Sequence, residues 1–146
     1  MKSFKLFMVT MLCCGWAAGF TGCNPGPVCN GNYTVNNIFP GEYIHVGLPG
    51  ISQCASITGD LFIGQQADLT NLTGLENLAS IGGTLWIANN DVMTSFAGLD
   101  NLTSIGGNLL IEENPALASL TGLNSLADVG GYLTIRYNDA MPSLEG

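Results

Sequence analysis

The stretch Ile81–Asn90, IGGTLWIANN, returns at Ile105–Asn114 as IGGNLLIEEN, with the isoleucines, the glycine pair, the leucine and the closing asparagine in the same places. Aligning Ile57, Ile81, Ile105 and Val129 extends the recurrence to four copies at a strict period of 24 residues, with no insertion in any copy. A fixed period of this length is the signature of a solenoid, in which a unit buries its apolar face only by stacking on its neighbours.

Within each copy, Leu61, Leu85, Leu109 and Leu133 hold one column, and Ile63, Ile87, Ile111 and Ile135 hold the column two residues later. Alternation of this kind predicts a strand with these side chains facing the interior. The pairs Gly82–Gly83, Gly106–Gly107 and Gly130–Gly131 are expected to supply a sharp turn into it. After the strand, apolar residues fall at every third position, as in Leu69, Leu72, Leu75, Leu78 and Ile81. A helix needs spacings of three and four mixed, and Gly74, Gly98 and Gly122 lie inside this run among weak helix formers. The copies therefore read as short extended segments and tight turns wound round one apolar interior, coil stacked on coil at about 4.8 Å. A further column holds Gln66, Asn90, Asn114 and Asn138, whose amides are suited to satisfying backbone groups at a corner and one another. Calcium is the alternative for that column, given Asn89–Asp91 and Tyr137–Asp139, but Pro115 replaces the aspartate in the third copy. The glycine-aspartate nonapeptide of calcium β-rolls is also missing, so no metal ligands are assigned.

The amino terminus stands apart from this pattern. Lys2 and Lys5 precede LFMVTMLCCGWAAGF at Leu6–Phe20, an uncharged run shorter than the roughly 20 residues that span a bilayer, and this reads as a secretory signal. Its end, FTGC at Phe20–Cys23, resembles the lipobox of bacterial lipoproteins, although leucine is usual where Phe20 stands. That resemblance implies cleavage before Cys23 and acylation of Cys23, which would anchor the chain in a membrane through several acyl chains. The chain is then expected to be exported and lipid-anchored at the bacterial cell envelope, at the outer membrane or cell surface, or otherwise secreted.

Cys13 and Cys14 belong to the signal and Cys23 to the anchor, which leaves Cys29 and Cys54. In an exported protein such a pair reads as one disulfide; two cysteines with His45 and no fourth ligand make a poor zinc set. Beyond the signal the only basic residue is Arg136 against eleven acidic ones, a net charge of −10. Such a chain repels nucleic acid and anionic headgroups.

The stretches ITGDLFI, IGGTLWI, IGGNLLI and VGGYLTI, each followed by leucine-spaced turns, resemble the receptor L domain, the family of the ligand-binding lobes of the insulin and epidermal growth factor receptors. The resemblance implies an all-β, right-handed parallel β-helix of about four 24-residue coils, leucine-rich-repeat-like, with a disulfide-closed amino-terminal cap that Cys29 and Cys54 match in position. It implies no catalytic residues and no cofactor. The expected organisation is a signal at 1–22, a linker to the lipid anchor at 23–28, a cap at 29–56 and solenoid repeats at 57–146.

Alternation leaves three outward columns on the strands: Asp60, Thr84, Asn108 and Tyr132; Phe62, Trp86, Leu110 and Thr134; and Gly64, Ala88, Glu112 and Arg136. The middle column is apolar enough to suggest a contact surface for a protein or glycan, with Tyr132, Glu112 and Arg136 beside it. The competing reading is a ladder that stabilises the sheet or is covered. Glu112 and Arg136 are expected to be cross-strand neighbours. An enzyme is disfavoured: Asp60 and Glu112 lie two coils apart, His45 stands alone, and no serine has a paired base. A purely structural envelope lipoprotein is the remaining alternative. Gly146 falls eighteen residues into the fourth period, and an open coil there is expected to favour self-association.

Overall fold

The computed structural model describes residues 27–35, 43–45 and 48–142. The expected signal and its Cys23 lie outside the described residues, as do part of the cap and the last four positions. Four coils at the 24-residue period build two parallel sheets. The smaller sheet takes a two-residue strand from each turn: β1 (Val28–Cys29), β4 (Ser56–Ile57), β6 (Ser80–Ile81), β8 (Ser104–Ile105) and β10 (Asp128–Val129), in that spatial order. In the larger sheet the order is β11 (Leu133–Arg136), β9 (Leu109–Glu112), β7 (Leu85–Ala88), β5 (Leu61–Gly64), β2 (Asn32–Thr34) and β3 (Tyr43–His45). The only helix among the described residues is one turn, α1 (Leu48–Ile51), and none is long and apolar enough to cross a membrane.

The register follows the repeat. Leu61 pairs with Leu85, Leu85 with Leu109 and Leu109 with Leu133, and Ile57, Ile81, Ile105 and Val129 align in the smaller sheet. A slip by one residue would turn the leucine–isoleucine face out to solvent, so the apolar alternation holds the register. Leu61, Ile63, Leu85, Ile87 and Ile111 are fully buried, and Leu72, Leu75, Leu78, Phe96, Leu99 and Leu102 close the third side of the same core. That third side is a chain of tight turns, with Leu75 N–H donating to the Leu72 carbonyl and Leu78 N–H to the Leu75 carbonyl. These three-residue turns are the source of the every-third-position apolar spacing.

Two glycine columns have different physical reasons. Gly98 and Gly122 have φ near +109° and +106°, and a Cβ on either would also strike a backbone carbonyl oxygen of the preceding coil, that of Leu72 or Phe96. The paired glycines before the strands differ from expectation: none of Gly82, Gly83, Gly106, Gly107, Gly130 or Gly131 has a positive φ. Their chain bends without it. A Cβ on Gly106 would collide with the Gly82 carbonyl oxygen, so these glycines are required by how closely one coil lies on the next.

Cys29 and Cys54 form a disulfide with Cα atoms 5.7 Å apart and a sequence separation of 25. It joins β1 to the segment just before β4 and packs into the amino-terminal end of the core, where Cys54, Ile51 and Val35 are buried.

A candidate interaction face on the larger sheet

The outward column nearest the start of each strand is held by a repeated hydrogen bond. Asp60 N–H donates to Asn32 Oδ1 (2.9 Å), Thr84 N–H to Asp60 Oδ1 (2.7 Å), Asn108 N–H to Thr84 Oγ1 (3.2 Å) and Tyr132 N–H to Asn108 Oδ1 (3.1 Å). Every position from Asn32 to Asn108 needs a short side chain with an acceptor oxygen, which explains why only Asn, Asp and Thr occur there. The column is structural up to Tyr132, whose ring is exposed.

At the other end of the strands the amide column does what its chemistry predicts. Asn90 Nδ2 donates to the Ile63 and Ala88 carbonyls and to Asn114 Oδ1, and Asn114 Nδ2 donates to the Ile87 and Glu112 carbonyls and to Asn138 Oδ1. Gln66 N–H donates to Asn90 Oδ1, and the backbone N–H groups of Asn90 and Asn114 donate to the next Oδ1 in line. Gln65, Asn89, Glu113 and Tyr137, one residue earlier, are all left-handed with φ between 55° and 59°, the corner that brings each amide inward. The Asn114 and Asn138 amide oxygens thus already accept protein N–H groups. Among the described residues no group of three or more His, Cys, Asp or Glu side chains is placed to hold a metal ion.

Between these columns lies the proposed contact strip. Phe62, Trp86, Leu110 and Thr134 align across β5, β7, β9 and β11 as alternation requires. Their exposure differs from a uniformly wet strip. Phe62 is 3% exposed, while Trp86, Leu110 and Thr134 are half-buried. The Phe62 and Trp86 rings sit 4.8 Å apart between centroids at 59°, a tilted pair that stabilises the sheet. Phe62 lies over Gly64, where a Cβ would meet its ring, and so aromatic bulk in one column requires a small residue in the next. Ala88 is likewise buried. The strip is therefore structural at its Phe62 end and partly open from Trp86 to Thr134.

Glu112 and Arg136 are the cross-strand neighbours expected, with Arg136 Nε 2.8 Å from Glu112 Oε1. The carboxylate is nearly covered while the arginine side chain is largely exposed, and the contact raises the arginine pKa further above its usual range. Arg136 also lies 5.6 Å from the centroid of the Tyr137 ring. Tyr132, Leu133 and Tyr137 are 64%, 56% and 65% exposed, the most open apolar side chains of the last coil.

One feature was not legible in the sequence. The outer side of the smaller sheet forms a shallow groove of about 540 Å³ floored by Gly82, Gly106 and Gly130 and edged by Ser56, Ser80, Ser104 and Asp128. The only available signal was the serine before each core isoleucine.

The coils are leucine-rich and begin beside the Cys29–Cys54 disulfide. Residues 53–121 match the Receptor L domain model. The match spans the first two coils, most of the third and the segment that enters them. No curated protein and no solved structure matches the chain.

Proposed function

We propose that this chain is a non-enzymatic binding module, tethered to the cell envelope through acylated Cys23, that holds a protein partner on the larger sheet between Trp86 and Thr134. The observation that carries the reading is the half-buried Trp86–Leu110–Thr134 strip, open beside the Glu112–Arg136 pair on a sheet whose other face is sealed core. An aromatic and aliphatic patch bordered by charge has the composition of a contact surface. The receptor L match supports a protein ligand in preference to a glycan. The carboxylates along the outer face of the larger sheet give no support to the polysaccharide-cleaving alternative, because Asp60 and Glu112 are each engaged in structural contacts.

The anchor is tested by mass spectrometry of membrane-fraction protein, which should find an acylated amino terminus at Cys23. Cys23→Ser should release the protein or stall its processing, and an unmodified mature chain beginning elsewhere would contradict the tether. The binding face is tested by comparing what the wild-type and Leu110→Asp proteins retain from cell-surface fractions. A partner retained equally by both would contradict the placement.

A further inference from the structure

Asn30 and Gly31 form the one asparagine–glycine pair in the chain. They lie between two fixed points: Cys29, held by the disulfide, and Asn32, which opens β2 and accepts the Asp60 N–H. Asn30 is exposed, and its side-chain amide makes no hydrogen bond among the described residues. Gly31 has no Cβ to crowd the approach of its backbone nitrogen to Asn30 Cγ. Two hydrogen bonds act on the peptide unit that joins the pair. Gly31 N–H donates to Thr58 Oγ1 at 3.0 Å, and Tyr33 Oη donates to the Asn30 carbonyl at 3.2 Å. The first holds the proton on nitrogen. The second draws electron density from the same amide and stabilises the anion formed when that proton leaves.

We infer that Asn30 is a site of self-modification, with water as the co-reactant, whose rate Thr58 lowers and Tyr33 raises. Gly31 N loses its proton and attacks Asn30 Cγ, the bond from Cγ to the side-chain nitrogen breaks, and that nitrogen leaves with the proton as ammonia. The product is a succinimide. Water then opens the ring at Cγ, giving aspartate, or at the Asn30 main-chain carbonyl, giving isoaspartate with its backbone routed through Cβ and Cγ. Nothing is oxidised or reduced. Either product places a carboxylate in the cap, and isoaspartate also lengthens the main chain by one carbon. The added length falls between two hydrogen bonds that tie the cap to the first coil, Thr58 N–H to the Cys29 carbonyl at 3.0 Å and Gly59 N–H to the Gly31 carbonyl at 3.1 Å. A longer chain shifts one of these against the other, so the modification loosens the cap just after β4. The inference is independent of the sheet-face reading.

The test incubates the folded full chain in mildly alkaline buffer and follows the Asn30 peptide, after reduction, by mass spectrometry, with enzymatic methylation to measure isoaspartate. Asn30 should convert to aspartate and isoaspartate while the exposed Asn101 and Asn124 persist. Thr58→Val should speed the conversion and Tyr33→Phe should slow it, each by about threefold or more, the effect of one hydrogen bond. Thr58→Ser, which keeps the acceptor oxygen, should convert as the wild type does. The opposite signs separate this chemistry from a general loosening of the cap, under which both variants would convert faster. Persistence of Asn30 in the folded wild type under conditions that convert it in the urea-unfolded chain, equal rates in the wild type and both variants, or faster conversion in both would overturn the inference. In the isoaspartate form, amide hydrogen exchange at Thr58 and Gly59 should be faster than in the unmodified protein, and unchanged exchange there would overturn the loosening of the cap.

Discussion

The side-chain amide of Asn90 donates to Asn114 Oδ1 at 3.0 Å, and the Asn90 backbone N–H donates to the same oxygen at 3.2 Å. One side-chain atom thus closes two hydrogen bonds across the coil boundary, at a corner where the backbone leaves the sheet and cannot satisfy itself. Asn114→Leu removes that acceptor and the donors to the Ile87 and Glu112 carbonyls while leaving all of these groups buried. We expect a loss of about 3 kcal/mol or more in urea unfolding, since each stranded buried polar group costs about 1–3 kcal/mol. A loss within about 0.5 kcal/mol would show that the amides do not hold the coils together.

Gly106→Ala tests the close stacking of the coils. The added methyl would strike the Gly82 carbonyl oxygen, a backbone atom fixed by its own coil. Destabilisation of about 1–3 kcal/mol is expected, the range for overpacking, measured by the thermal midpoint. Neutral behaviour would mean that the glycine pair serves only the bend.

The disulfide should contribute about 3 kcal/mol, as expected for a closed loop of this length. Cys54→Ala is expected to lower the unfolding free energy in urea by that amount. Free, alkylatable thiols at both positions in the native protein would contradict the pairing.

An acid-dependent element lies on the turn side. Glu76 Oε1 accepts the Gly74 N–H at 2.8 Å, and this bond, with one from the Glu76 N–H, holds the carboxyl below its ordinary value of 4.5 against slight desolvation and the like charge of Asp100. A carboxyl whose folded pKa is depressed adds stability above its unfolded pKa and loses it as pH falls through the folded value. The wild type should therefore lose slightly more stability than Glu76→Gln on acidification below pH 4.5. Parallel loss in the two proteins across that window would contradict the contribution.

The solenoid was legible because its constraints repeat: one apolar alternation, written four times without insertion, sets both strand identity and register. The Asn90, Asn114 and Asn138 column was legible for the same reason, as was the Glu112–Arg136 contact. The purpose of the glycine pairs was not, because a bend and a close interstrand approach leave the same residue in the sequence. Nor was the burial of Phe62. Alternation tells which side of a sheet a residue faces, but the covering of that side depends on neighbouring side chains, here a ring lying over Gly64. The acceptor role of Asp60, Thr84 and Asn108 was hidden by their variety, since the hydrogen bond needs an oxygen and not a particular residue.

The central claim is that the sheet between Trp86 and Thr134 meets a partner. The direct measurement places a photo-crosslinking amino acid at Leu110 on that face, and in a second protein at exposed Asn124 on the turn side, and irradiates intact cells. The account predicts one discrete adduct from position 110 that is absent from position 124. No adduct from position 110, or the same products from both positions, would contradict it.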